Sequence, residues 1–209
     1  MKRYIPVLWT LLVLTLMGCT QKNNNTQPRI STQPDTILKR DRLVTNDGKH
    51  ILLLYLSDST CLIKWGQSAK LLYTSDTLHV LGSGNLNIAE TEKNSILLKQ
   101  SCGTCCQVGF ILSISPPKCM KYLFFIASDL KNNLVAYISE SDNSFITVEN
   151  FITGEKQIIN ETNLCPAAFK GECIDSVSLA NKQLFIKWQG NKWNHTKKDT
   201  RERKIEIRI

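Results

Sequence analysis

The residues with the clearest chemical potential are cysteines, three of which lie in the stretch CGTCC, residues 102–106. Cys102 and Cys105 form a C-x-x-C pair, and such pairs exchange disulfides when a helix N-terminus lowers the pKa of one thiol. The next residues, QVGFILSIS, predict a strand, so that influence on the pKa is missing. Cys102, Cys105 and Cys119 could also contribute to a zinc site, which needs four ligands. The histidines that could complete it are distant in sequence: His50, His79 and His195.

Structural disulfides are the interpretation we favour for these thiols, because the amino-terminal segment predicts export and disulfides persist outside the cytoplasm. Apart from Cys19, seven of the eight cysteines remain. Cys165 and Cys173 flank PAAFKGE and could close a small loop. The other candidates fall within one predicted structural unit: Cys102, Cys105, Cys106 and Cys119. Because seven is odd, at least one thiol stays free, is modified or pairs between chains.

Familiar catalytic motifs do not occur in the sequence, which has no G-x-S-x-G elbow, no H-E-x-x-H and no complete phosphate loop. The GSG at 82–84 predicts a β-turn. Two acidic pairs, Glu90 with Glu92 and Glu172 with Asp175, could share general acid and base roles, although proximity in sequence fixes neither geometry nor pKa. We therefore predict no catalytic residues, no metal site and no cofactor.

A cationic segment near the C-terminus is the candidate for binding. Residues 187–209 carry eight Lys or Arg against three acidic residues, in a chain of formal net charge +8. Indole rings interleaved with cations suit phosphate, sulfate or carboxylate partners. A solvated hairpin with Trp188 in the core is the alternative. The candidate residues for an anionic partner are Trp188, Lys192, Trp193, Lys197, Lys198, Arg201 and Arg203.

The amino-terminal residues have the pattern of an export signal. Lys2 and Arg3 precede an apolar run, residues 5–16. A bilayer span needs about 20 apolar residues, whereas the apolar region of an export signal needs only about 7–15. The run therefore predicts a cleaved targeting segment.

The end of that run, Leu16-Met17-Gly18-Cys19, resembles the lipobox of bacterial lipoproteins. The resemblance implies cleavage after Gly18, a diacylglycerol thioether on Cys19 and acylation of the new amino group by a fatty acid such as palmitate. By analogy with enterobacterial sorting, in which Asp after the cysteine retains a lipoprotein in the inner membrane, Thr20 implies the outer membrane. An ordinary signal peptide with an incidental cysteine is the alternative.

The chain divides into three parts on composition. Residues 1–18 form the signal peptide. Residues 19–36 are rich in amides and hydroxyls and cannot bury enough apolar surface to fold, so they predict a disordered tether. Residues 37–209 have the size of a single domain, which we expect to be β-rich.

Short apolar runs that follow polar turns recur along this domain. Four begin near residues 49, 94, 132 and 182: KHILLLYLSD, NSILLKQS, NNLVAYISES and KQLFIKWQG. The first three are each followed by two further strand candidates: CLIKWG and AKLLYTS, VGFILSIS and KYLFFIAS, and SFITVENF and EKQIIN. The last segment, RKIEIRI, places three isoleucines on one face of a strand. These units resemble β-propeller blades, and IDSVSLANKQLFIKW resembles the first two strands of a blade joined at Asn181-Lys182.

The fold class predicted is all-β, an antiparallel meander of about four repeated units of three to four strands. A small or incomplete β-propeller, a sandwich and an incomplete barrel remain open, because the repeat spacing is irregular and no signature residue is shared. We expect a lipid-anchored protein of a bacterial cell envelope, in the outer membrane, that serves as a non-enzymatic binding or accessory module. Its expected partners are the membrane, through the anchor, and an envelope protein, an anionic glycan or a lipid headgroup, but no nucleic acid.

Two alternatives come from other functional classes. One is an envelope hydrolase or glycan-processing enzyme with its site in a propeller-like central pocket. The other is thiol exchange through Cys102 and Cys105, which needs a reactive thiol of low pKa.

Overall fold

A computed structural model describes residues 37–82, 85–102, 106–139, 144–161, 164–167, 169–191 and 199–209, all within one compact unit. The signal peptide and tether predicted for residues 1–36 lie outside the described residues. So do Cys105 and the segment 192–198.

The described residues form four antiparallel sheets that follow one another along the chain. The first sheet contains β1 (Lys39–Val44), β2 (His50–Ser57), β3 (Thr60–Gly66), β4 (Tyr73–Thr74) and β5 (Leu78–His79). The second contains β6 (Asn87–Glu92), β7 (Ser95–Ser101), β8 (Gln107–Ile114) and β9 (Pro117–Tyr122). The third contains β10 (Phe125–Asp129), β11 (Leu134–Tyr137), β12 (Ile146–Asn150) and β13 (Lys156–Ile159). The fourth contains β14 (Ile174–Ala180), β15 (Gln183–Gln189) and β16 (Thr200–Glu206).

Consecutive strands pair within each sheet, except that β4 and β5 both pair with β3. Two short 3-10 turns, Leu130–Asn132 and Lys170–Cys173, lie between strands. The four apolar runs found in the sequence are the second strands of the sheets, β2, β7, β11 and β15. The predicted all-β meander of four repeated units is therefore confirmed.

Three hydrophobic cores lie between successive sheets. The first packs Ile51 and Ile63 of the first sheet against Phe110 of the second. The second packs residues such as Leu97 of the second sheet against Val135 of the third, and the last joins the third and fourth sheets. Among the described residues no core joins the first sheet to the fourth, and the four sheets are not closed into a barrel.

The sheets' positions explain their sequence patterns. The second sheet is covered on both faces, and β7 and β8 accordingly contain continuous apolar runs, ILL and VGFIL. The fourth sheet has one covered face, so β15 alternates, with Leu184, Ile186 and Trp188 buried between more exposed residues. Ile205, Ile207 and Ile209 pack into the same core, as the pattern of RKIEIRI predicts.

Two strand predictions need correction at turns. KYLFFIAS was expected to form one strand, but it contains the end of β9 and the start of β10, with Leu123 and Phe124 between them. Phe124 adopts a positive φ of 50°, which reverses the chain. AKLLYTS forms a strand only over Tyr73–Thr74. The predicted turn at Asn181-Lys182 is present, with φ of 51° and 58°.

Candidate functional site

One cleft lies where the second, third and fourth sheets approach one another. Its volume is about 510 Å³. One side consists of the ends of β7 and β8 around Cys106, and the opposite side of the segment 169–177, which contains the second 3-10 turn and the start of β14. The start of β10 and Ile138 complete the lining. We call this space the disulfide-flanked cleft, for the reason that follows.

Both disulfides of the described residues lie beside this cleft. Cys102–Cys106 closes the connection between β7 and β8, and the Cys102 amide also donates to the Cys106 carbonyl at 3.1 Å. Cys165–Cys173 ties the second 3-10 turn to the chain before it. Lys170 Nζ donates to the Ser144 carbonyl at 2.8 Å, which holds the same turn against the third sheet. Two facing walls are therefore fixed covalently.

Aromatic rings project into the space between those walls. The rings of Phe124 and Phe169 lie 4.6 Å apart between centroids, at a tilted angle. Phe124 has left-handed backbone geometry, which is unfavourable for a bulky side chain and recurs at functional sites. Gly171 allows the close approach, because a Cβ there would collide with the Phe169 ring and Ile138.

Two carboxylates line the cleft, Glu172 and Asp175. Both are exposed, and Asp175 accepts a hydrogen bond from Gln189 Nε2 at 3.0 Å. They belong to a single chain segment and so supply one wall. Such an arrangement can accept hydrogen bonds from a ligand that lies against the phenyl rings.

A second cavity, of about 530 Å³, adjoins the first across Phe124 and Ile138, which line both. Its polar centre is Glu149, whose carboxylate accepts from Tyr122 Oη at 3.1 Å and from Tyr137 Oη at 2.8 Å. Lys156 Nζ lies 3.3 Å from the same carboxylate. The two tyrosine rings are 5.2 Å apart between centroids. We call this group the Tyr–Glu–Lys cluster.

Burial and charge change the proton affinities in the cluster. Burial raises the pKa of Tyr122, and the neighbouring Glu149 carboxylate adds to the effect. The pKa of Tyr137 is raised by the same two causes, burial being the larger. A hydrogen bond with Tyr137 raises the pKa of Lys156. The phenols therefore stay neutral donors and Lys156 stays a cation at neutral pH.

Behind the disulfide-flanked cleft, Lys99 lies over the Phe125 ring, with Nζ 4.6 Å from the centroid. Burial lowers the pKa of Lys99, while the nearby Glu90 opposes that change. Glu90 accepts a hydrogen bond from Ser128 Oγ at 2.6 Å, which links the second and third sheets. Phe125 lines the cleft, so Lys99 contacts one of its lining rings.

Two disulfides are present, as the favoured interpretation of the cysteines predicts, and one of them closes the small loop between Cys165 and Cys173. Cys102 is bonded to Cys106, so its partner is not the Cys105 of the C-x-x-C pair. Cys119, a disulfide candidate, is a free thiol, as is Cys61. Burial raises the pKa of Cys61 to about 11 and that of Cys119 to about 12, which makes both poor nucleophiles. The described residues contain no group of three or more His, Cys, Asp or Glu that could hold a metal ion.

The C-terminal anionic-partner candidates are only partly described. Trp188 is 4% exposed and packs edge-on against Phe145, so its ring is not offered to solvent. Arg201 pairs with Asp199 at 3.2 Å, and Arg203 pairs with Glu161 at 2.7 Å. Four candidates lie outside the described residues: Lys192, Trp193, Lys197 and Lys198.

Sequence reasoning missed the residues of the two cavities, with the exception of Cys106 and the pair Glu172 and Asp175. The Tyr–Glu–Lys cluster joins four different strands, and no spacing in the sequence relates them. A polar residue in an apolar strand, such as Glu149 in ITVEN, is the one available signal.

Comparisons with known proteins give no relative for this arrangement. No family model, no curated protein and no solved structure matches the chain. Within the part of the chain that the structure describes, no helix is long and apolar enough to cross a membrane.

Proposed function

We propose that the protein is a lipid-anchored binding module of a bacterial cell envelope, which holds an extended ligand across the two adjoining cavities. The observation that carries this proposal is the shared wall of Phe124 and Ile138, which gives both cavities one continuous lining. Ligand sites are typically concave and apolar, with a few polar groups that fix orientation. Here those groups are the carboxylates of Glu172 and Asp175 and the ammonium of Lys156.

The preformed walls support binding without large rearrangement. Two disulfides restrain the cleft from both sides, and the Tyr–Glu–Lys cluster fixes its tyrosines through hydrogen bonds. Preorganisation of this kind reduces the entropy lost when a ligand binds. The ligand that fits best has apolar or ring surface for Phe124 and Phe169, and hydrogen-bond donors for the acidic wall.

Binding is favoured over hydrolysis by the placement of the carboxylates. Glycosidases use two carboxylates that flank the scissile bond. Glu172 and Asp175 lie on the same segment, and Glu149 is already engaged by two phenols and an ammonium. This arrangement suits recognition better than a general acid facing a general base.

The binding site can be tested by photocrosslinking in the native envelope. A photoreactive phenylalanine analogue at position 124 is expected to capture a ligand, whereas the same analogue at the exposed Phe185 of the fourth sheet serves as the matched control. Capture at both positions, or at neither, contradicts the proposal. Recovery of a cleaved ligand whose cleavage is lost in Glu172→Gln would instead establish the hydrolase.

The anchor requires a separate test, because it depends on residues 16–19 alone. The mass of the protein purified from the envelope is expected to correspond to a chain that begins at an acylated Cys19. Cys19→Ser is expected to prevent acylation and cleavage after Gly18, so that the protein keeps its signal peptide. A processed and membrane-bound Cys19→Ser protein would refute the lipid anchor and the outer-membrane location with it.

A further inference from the structure

The strand β2 carries more apolar residues than its position requires. It belongs to the first sheet, which has one core-facing side, yet it reads HILLLYLS. Ile51, Leu53 and Tyr55 enter the first core. Leu52 and Leu54 alternate with them and belong to none of the three cores among the described residues. Leu54 is 4% exposed and Leu52 is half-buried, and both lie on the face of the sheet that is turned away from the first core.

Cations surround these leucines on the same face. In register across the sheet, Arg42 pairs with Leu52 and Leu52 with Lys64, while Arg40 pairs with Leu54 and Leu54 with Leu62. Val44, the last residue of β1, is 51% exposed, and Leu38, which immediately precedes β1, is 62% exposed. We call this surface the basic outer face. It comprises Leu38, Arg40, Arg42, Val44, Leu52, Leu54, Leu62 and Lys64.

The charge on the basic outer face is not compensated. No strand position on this face is acidic, and among the described residues Arg40, Arg42 and Lys64 make no ion pair. Asp41 lies on the opposite side of β1 and pairs there with Lys39 at 2.8 Å. By contrast, the C-terminal Arg201, Arg203 and Arg208 are all ion-paired.

We propose that the basic outer face docks onto the anionic phospholipid surface of the membrane to which the chain is anchored. This inference rests on the proposed lipid anchor. The arginines and Lys64 would contact headgroup phosphates, and the exposed Leu38 and Val44 would enter the interface between headgroups. A lipid chain combined with a basic patch is a known way to make membrane attachment stable.

The position of the predicted tether in the sequence favours the membrane as the partner of the basic outer face. Residues 20–36 lead directly into Leu38 and β1, so the first sheet is the part of the domain nearest the anchor along the chain. The tether predicted for these residues would span roughly 20–25 Å on average, which would leave the face within reach of the bilayer. The tether itself is a poor cover for the face, because it carries Lys22 and Arg29 against the single acidic residue Asp35.

The test uses the protein purified from its envelope and reconstituted into phosphatidylcholine vesicles with or without phosphatidylglycerol. Hydroxyl-radical footprinting then reports the solvent exposure of Leu38, Val44 and Leu52. We expect protection of these residues in the anionic vesicles only. Each cation near an anionic surface strengthens binding about fivefold, so Arg40→Gln/Arg42→Gln/Lys64→Gln is expected to lower the docking constant roughly a hundredfold.

The control variant removes the same charge elsewhere. Lys93→Gln/Lys118→Gln/Lys204→Gln changes three exposed lysines of the second and fourth sheets and is expected to leave the protection intact. Equal loss in both triple variants, or equal protection in neutral vesicles, overturns the proposal. Protection that appears only with soluble polyphosphate, or that increases with protein concentration in neutral vesicles, overturns it in favour of another occupant.

The experiment distinguishes failure of the proposed lipid anchor from failure of the proposed docking of the basic outer face. Intact mass reports acylation of Cys19 before any vesicle is added. If the protein is not acylated, co-sedimentation of the same chain with anionic vesicles still measures the face, and the two triple variants keep their opposite expected outcomes.

Discussion

At the residue scale, Glu149 holds the second cavity together, because one carboxylate accepts from two phenols and faces Lys156. In an unfolded chain, tyrosines have a pKa of about 10 and lose their protons above that pH. In the folded protein, burial and Glu149 raise the pKa of Tyr122 and Tyr137. The folded state therefore retains protons that the unfolded state loses.

This difference predicts the pH dependence of stability. The contribution of the two tyrosines is fully present below pH of about 10 and is lost as pH rises above that value toward their raised pKa. A spectrophotometric titration of the native protein is expected to lack these two phenolates at pH of about 10, and to gain them on unfolding. Glu149→Gln should bring both transitions to lower pH. Native titration of every tyrosine near pH 10 would contradict the cluster.

The free thiols give a second prediction. Because the thiolate is the reactive species, a pKa of about 11 for Cys61 and about 12 for Cys119 should slow alkylation at pH 8 roughly a hundredfold and a thousandfold relative to an ordinary cysteine. Peptide mapping after timed alkylation measures both rates. Addition of denaturant is the control, since it should make the two sites equally fast. Rapid native labelling of either residue would be incompatible with its burial.

The sequence alone could identify candidate cysteines for disulfides but could not assign all of their pairings. Cys165 and Cys173 could be nominated because they are close in sequence and bracket a short loop. The choice of Cys106 over Cys105 as the partner of Cys102 depends on the geometry where β7 connects to β8. The exclusion of Cys119 depends on its position in β9, beside the first core.

At the scale of elements, the turn between β14 and β15 carries a measurable strain. Asn181 and Lys182 both have positive φ, the geometry of a type I′ hairpin turn, for which Asn-Gly is the preferred sequence. Lys182→Gly is therefore expected to stabilise the fold by about 0.5–1 kcal/mol, because glycine adopts this conformation without steric conflict. The Lys182 amide donates to Asp129 Oδ2 at 3.1 Å, and glycine keeps this donor. Chemical denaturation gives the free energy of unfolding.

Lys182→Ala is the matched control for that prediction. Alanine removes the same ammonium but keeps a Cβ, so it should not stabilise the protein. An equal gain in both variants would show that loss of charge, and not backbone geometry, is responsible.

Strands could be found from the sequence where hydrophobic periodicity is strong, and turns where Asn or Gly marks them. The hairpin of β14 and β15 satisfies both conditions, because its strands alternate and Asn181 marks its turn. The turn at Leu123 and Phe124 has neither marker, since both residues are apolar and bulky, so KYLFFIAS appears continuous. The same unmarked turn places Phe124 between the two cavities, which is why the candidate site was not foreseen.

At the scale of the whole molecule, the two disulfides should contribute separately to stability. Cys165 and Cys173 are eight positions apart, and closure of a loop of that size is worth about 2–3 kcal/mol in the chain-entropy description. Cys165→Ser/Cys173→Ser is expected to lose about that free energy of unfolding. Cys102→Ser/Cys106→Ser, which opens a smaller loop, should lose less. The reverse order would indicate that local packing dominates over loop closure.

The repeat count and the β class could be predicted because each sheet contributes one strongly apolar second strand. The order in which sheets pack could not. Once the structure is known, that order explains why β7 and β8 contain continuous apolar runs whereas β15 alternates.

The antiparallel register of β1 and β2 has a mechanical consequence once the chain is held by its amino end. Lys39 lies opposite Tyr55 and Val44 opposite His50, so tension arriving from residue 36 loads the Lys39 end of the ladder first. Such a pull separates the pairs one after another instead of shearing them together. The outermost strand would then yield at low force while the remaining three sheets, and both cavities, stay intact.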